Sequence, residues 1–304
     1  DALPISLRDD DLNYFFDAKV IENNYRDIWD ICPISMSVVP FIKGYWPKIV
    51  IEAEERGPGQ MADSLIKDLR KDNHIFPIDE NIELVEYVKE KVKTNKIYLT
   101  IHAIHHRNED KVMPQFTNNY GFGAEFYTTR DLTLPLSESI KYLENVFEQK
   151  IEVFTPPQNK FNMKGLMAVI NNNLMVCGDF PSIKDINTIR LFGLMEFVNY
   201  FSYKLFYRSS QFPYPILNKQ FKMVGHHRLQ LGTNIEGLYA ALDHAHKSNG
   251  VFVISTHSYG FGFKMKNSEL TMKDELMRLI DYAKNKGNIE FVNLKQIFEK
   301  SCYR

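Results

Sequence analysis

Cysteine is scarce: Cys32, Cys177 and Cys302 stand far apart and form no CxxC pair. That spacing argues against a thiolate zinc site and against a disulfide framework, and it suits a reducing compartment. An excess of either charge is also missing, since 37 Lys and Arg face 38 Asp and Glu for a formal net charge of −1. No basic run interleaved with aromatics offers a footprint for nucleic acid, so none is expected as a partner. No apolar run reaches the length of a membrane span, and Asp1-Ala2-Leu3-Pro4 does not read as a signal peptide. A cytoplasmic location is the resulting expectation, although a chain without an initiator Met leaves room for a removed leader. Internal repeats, low-complexity tracts and a linker-like break in composition are absent as well. One domain over residues 1–304 is therefore the simplest division, with insertions at about 107–133 and 183–231. At 44% hydrophobic and 25% charged residues, the composition is that of an ordinary globular protein with a sizeable core.

What the chain does have is concentrated in Lys96–Arg107, KIYLTIHAIHHR. Ile97–Ile101 is a short β-branched run suited to a buried strand, and His102, His105 and His106 arrive as it ends. Were the strand to continue, His102 and His106 would lie about 13 Å apart, too far to share one ion. If the backbone turns helical after His102, the pair comes within about 6 Å on one face. A surface cluster of histidines and a two-imidazole metal clamp both remain open at this point.

The surrounding pattern alternates strands with helices. Leu3–Leu7 reads as a strand running into Arg8-Asp9-Asp10-Asp11, three adjacent carboxylates that suit a solvated turn or a bound cation. A helix over Asn23–Asp30 and a strand within Pro33–Pro40 follow, then a rim excursion over Lys43–Pro58. Asn81–Lys93 is an amphipathic helix, with Ile82, Val85, Val88 and Val92 at helical spacing. Further helices are expected at Ser137–Gln149, Lys164–Asn171, Asn234–Ser248, Met272–Lys286 and from Leu294, with strands at Ile151–Phe154, Leu174–Cys177, Val251–Ser255 and Ile289–Val292. Ile183–Phe206 suits a long helix or helical pair, and Ser209–Leu231, which holds His226-His227, is the least regular stretch. This order is the parallel α/β signature. In a parallel barrel the C-terminal strand ends build the active site, so Asp10 or Asp11, His102 with His106, and His257 just past VFVIS can meet there. One carboxylate with two imidazoles is a common ligand set for a divalent ion, Zn first and Fe, Co, Ni or Mn as alternatives.

These residues resemble the motifs of the NodB-type polysaccharide deacetylases, carbohydrate esterase family 4, in a divergent form, from about Leu3 to Ile297. The aspartate pair at a strand end is matched by Asp10-Asp11 in SLRDDDL. The two-histidine motif is matched in spacing by His102-Ala-Ile-His105-His106, with Ala103 in its second position. The apolar strand ending in histidine is matched by VFVISTHS. The resemblance implies an α/β fold, a distorted (β/α) barrel of about seven parallel strands. It implies a metal-dependent hydrolase that removes acetyl from an N-acetylated carbohydrate, as in making a bacterial surface polysaccharide such as lipopolysaccharide. Asp10 would be the general base, Asp11, His102 and His106 the metal ligands, and His257 the general acid, with His105 outside the ligand set. The family's Arg-Pro motif is replaced by Phe154-Thr-Pro-Pro-Gln-Asn159, which leaves Arg8, two residues from Asp10, to supply the cation. The Asp-Trp motif is not evident, the tryptophans being Trp29 and Trp46. Tyr120–Phe126, Pro156 and Pro157 are the candidate sugar-facing wall. A metal hydrolase of another amide or a phosphate ester, and a sugar-binding protein on a degenerate scaffold, are the competing readings.

Overall fold

A computed structural model describes residues 2–50, 63–110, 122–180, 191–207, 211–219, 221–266 and 268–301. Its centre is β1, Leu3–Leu12, ten residues that are all buried. Strand β1 runs parallel to β2 (Ile34–Val38) on one side and to β11 (Phe252–Thr256) on the other. Beyond β2 lie β5 (Ile97–Ile101), β6 (Val153–Phe154), β7 (Met175–Cys177), β9 (Lys222–Val224) and β8 (Ile216–Leu217). Beyond β11 lies β10 (His227–Arg228), while β12 (Ile289–Phe291) pairs with the start of β1. All of these pairings are parallel except β8 with β9.

Only Gly225 and His226 separate β9 from β10. The sheet thus curls until one passage of chain, Lys222–Arg228, pairs with β7 at one edge and with β11 at the other. Side chains alternate across it. Leu3, Ile5 and Leu7 join the core under the helices, whereas Tyr98, Val153, Val224 and Val253 meet Leu294, Ile297 and Phe298 of the last helix inside the curl. Among the described residues the helices are α1 (Ala18–Tyr25), α2 (Asp63–Lys71), α3 (Ile82–Lys93), α4 (Thr133–Phe147), α5 (Met163–Asn171), α6 (Leu194–Phe206), α7 (Ile235–Lys247), α8 (Met272–Lys286) and α9 (Leu294–Ser301).

The expected distorted α/β barrel is present, with ten strands in its sheet among the described residues in place of about seven. The extra strands come from Ser209–Leu231, the stretch read as least regular and as part of an insertion. The first helix begins at Ala18 and not at Asn23, because the Asp17 side chain accepts the Lys19 N–H at 2.7 Å and caps it. The antiparallel pair of β3 (Phe41–Lys43) with β4 (Ile75–Pro77), and helix α2, were not anticipated. Gly57-Pro58-Gly59, Asn118-Asn119-Tyr120 and Ile183–Arg190 lie outside the described residues. Among the described residues no helix is long and apolar enough to cross a membrane.

Candidate metal centre

The three aspartates at the end of β1 are buried, not solvated, and each goes to a different partner. In a regular strand neighbours point to opposite faces, but the β1–β2 register shifts between Asp9 and Leu12, and Asp11 has φ 75°, left-handed and uncommon without glycine. Asn13 Nδ2 donates to the Asp11 carbonyl at 2.7 Å and pins this bulge. Asp9 accepts the Ser258 N–H at 2.8 Å, tying β1 to the turn that carries His257, and burial pushes its carboxyl up to about 7. Asp10 is gripped by Arg8, Nε to Oδ1 at 2.8 Å and Nη2 to Oδ2 at 2.5 Å. Arg8 itself is fully buried, donating to the Cys177 carbonyl at 2.9 Å and Asn159 Oδ1 at 3.2 Å. Burial opposes ionisation of Asp10, yet the bidentate guanidinium outweighs it and holds the carboxyl well below the usual range.

Asp11 meets the histidines. Its Oδ1 lies 3.2 Å from His102 Nε2 and 3.2 Å from His106 Nε2. The chain reaches this geometry with neither a continued strand nor a helical turn after His102. Instead the Glu125 carboxylate accepts three successive backbone N–H groups, from Ile104 at 2.9 Å, His105 at 3.1 Å and His106 at 3.1 Å, and His106 takes φ 53°. The two rings stack with centroids 5.2 Å apart. His102 Nδ1 lies 2.9 Å from the Thr155 carbonyl, which only accepts, so Nδ1 donates there and Nε2 is the nitrogen turned toward Asp11. His106 stands edge-on to Trp46 at 5.3 Å and lies over Gly123, where an added Cβ would come within 2.6 Å of the ring. His105 turns away and donates from Nδ1 to the Phe41 carbonyl at 2.8 Å.

A ligand atom from each of Asp11, His102 and His106 lies within 4.8 Å of the others. Asp11 Oδ1 is buried without a hydrogen-bond donor. A buried carboxylate oxygen set between two imidazole nitrogens is a donor set that suits a divalent cation. His257 stands beside the group, its Nε2 3.5 Å from Asp11 Oδ2 and its side chain 29% exposed. Burial pushes its imidazole below the ordinary histidine value, against the pull of Asp11 and Asp10.

Other expectations fare differently. Phe122 and Phe126 are buried in the core, as are Pro156 and Pro157, so none offers a sugar-facing ring, and Tyr120 lies outside the described residues. His226 sits inside the curl, Nδ1 2.6 Å from Ser255 Oγ and Nε2 3.3 Å from Asp179 Oδ1, while His227 stacks on Phe252 at 4.7 Å. Burial pushes His226 down to about 4. With an unfolded value near 6.5, folding disfavours its protonation, so its stabilising share is full above that pH and lost on the way to about 4. Denaturant midpoints from pH 7 to 5 should accordingly fall less steeply for His226→Asn than for the parent, and equal slopes would count against this assignment. Sequence reasoning missed Glu125 altogether, because nothing in a lone glutamate 19 residues past His106 marks it as a clamp on that turn.

No family model matches the sequence, and no curated protein matches it. Solved structures do. A protein from Mycobacterium smegmatis assigned as a polysaccharide deacetylase aligns over 99% of this chain and 91% of its own, at 10% identity and TM-score 0.52. This chain has the polysaccharide deacetylase fold. A family 4 acetyl xylan esterase from Clostridium thermocellum, solved with a cobalt ion, aligns over 98% of this chain and 91% of its own at 12% identity and TM-score 0.42. A pseudoenzyme of the same family from Bacillus anthracis aligns over 97% of this chain and 65% of its own at 10% identity and TM-score 0.42. In the deacetylase fold the barrel face at the C-terminal ends of the strands is where the present cluster stands.

Proposed function

We propose that this chain is a metal-dependent deacetylase of an N-acetylated sugar or polysaccharide, folded as one catalytic domain and working on a bacterial surface polysaccharide. The observation that carries this reading is the Asp11–His102–His106 group, with Asp10 on Arg8 and His257 standing by Asp11. Asp11, His102 and His106 would hold the ion, zinc foremost, with Fe, Co, Ni or Mn as substitutes. When bound, such a cation polarises the acetamide carbonyl and acidifies a neighbouring water. Asp10 takes the proton from the attacking water, and the Arg8 fork keeps that carboxylate ionised and aimed. His257 gives a proton to the departing amine nitrogen, a step suited to a partly exposed imidazole. Thr155 keeps His102 in the tautomer whose Nε2 faces the ion.

The test joins elemental analysis to acetate release from N-acetylated sugars of increasing chain length. One metal per chain and released acetate are expected. His102→Ala should lose the metal and lower the rate on the order of 10³-fold or more, the size of a lost electrophilic contact. Metal retained by that variant would overturn the ligand set. Phosphate release from esters, or metal binding with no turnover on any substrate, would select one of the competing readings.

A further inference from the structure

Helix α6 presents an apolar stripe to solvent. Leu194 is 74% exposed, Val198 48%, Phe201 44% and Leu205 53%, while Tyr200 and Tyr203 on the opposite side are buried in the protein. Met195 and Phe206 flank the stripe at 72% and 78% exposure. Monomeric proteins rarely leave so many large apolar side chains together in water. The four stripe residues follow one another at intervals of four, three and four, so they share one face of the helix, the spacing a helix-pair seam uses.

We infer that α6 is the contact through which two copies of this chain associate, helix against antiparallel helix. The spacing reads the same in both directions. Antiparallel pairing therefore sets Leu194 against Leu205 of the second copy and Val198 against its Phe201, each contact occurring twice, as a two-fold interface requires. It also sets a small side chain opposite a large one, whereas parallel pairing would bring Phe201 against Phe201. With 44% to 78% of an apolar side chain exposed at each of these six positions, α6 offers on the order of 700 Å² per copy, close to the ~800 Å² a standard interface takes from each partner. Within the helix Glu196 and Lys204 are the charged residues, one of each sign. A lipid surface would be met by a cationic rim, which the described residues of this helix do not supply.

Sedimentation velocity over about 1 to 100 µM should show a monomer–dimer equilibrium in the parent. Val198→Glu and Phe201→Lys should each raise the dissociation constant by about 100-fold, the effect of a charge at the centre of an apolar contact, while far-UV circular dichroism stays as in the parent because both side chains are about half exposed. Mixing the two variants should restore dimer, since one crossed contact then joins opposite charges and the other keeps the original Val198 and Phe201. A parent that stays monomeric throughout overturns the inference, and so does a mixture no tighter than its components. Flotation of the parent with vesicles of phosphatidylethanolamine and phosphatidylglycerol, lost in Val198→Glu, would reassign the face to a membrane. None of these outcomes depends on the deacetylase activity.

Discussion

Asp10→Asn should leave the metal in place and lower acetate release by about 10²- to 10⁴-fold, the range of a removed general base. The amide is nearly isosteric, so Asp11, His102 and His106 keep their geometry. It can no longer accept a proton from water, and it meets Arg8 with one oxygen where there were two. The paired measurement is metal content with kcat. Loss of both together would mean that Asp10 belongs to the ligand set, and unchanged kcat would remove it from the reaction. Arg8→Met sharpens the assignment: without the guanidinium, the buried Asp10 carboxyl would rise toward and past its ordinary value, because burial is the cause then left unopposed. Activity in Arg8→Met should therefore be lost as pH falls through a higher value than in the parent, a shift that simple misfolding would not produce.

Glu125→Ala carries the other large effect. Glu125 is 7% exposed, and its carboxylate satisfies three backbone N–H groups in a turn that no helix or strand supports. Stranding buried donors costs about 1–3 kcal/mol each, so a loss of about 3 kcal/mol or more in unfolding free energy is expected. The same change frees His106 from φ 53°, a conformation the chain keeps only where its surroundings impose it. Metal affinity, read by chelator competition, should fall by about 10- to 100-fold, the usual cost of losing a partner that orients a ligand. Affinity within twofold of the parent, together with lost stability, would show that the turn holds without Glu125.

Much of the architecture was legible along the chain. Ile97–Ile101 and Met272–Lys286 fall where the apolar period and the caps put them, and Asn81 caps the helix that follows it, because a strand or helix is written in neighbouring residues. Arg8 and Asp10 meet because residues two apart share one side of a strand. Short strands were less legible. β8, β9 and β10 are two or three residues each and owe their existence to partner strands, β9 to β7, β8 to β9 and β10 to β11, not to any local period.

The sequence by itself determined the alternation of strands and helices, the residue types able to bind a cation, and their placement at strand ends, all properties of short stretches. Only the tertiary structure decided how three adjacent aspartates are divided among Ser258, Arg8 and the histidine pair, and which of three histidines turns away. Those outcomes hang on a bulge at Asp11 and a carboxylate at Glu125. Each acts through backbone angles and hydrogen bonds between segments far apart in the chain, which no local pattern of residues encodes.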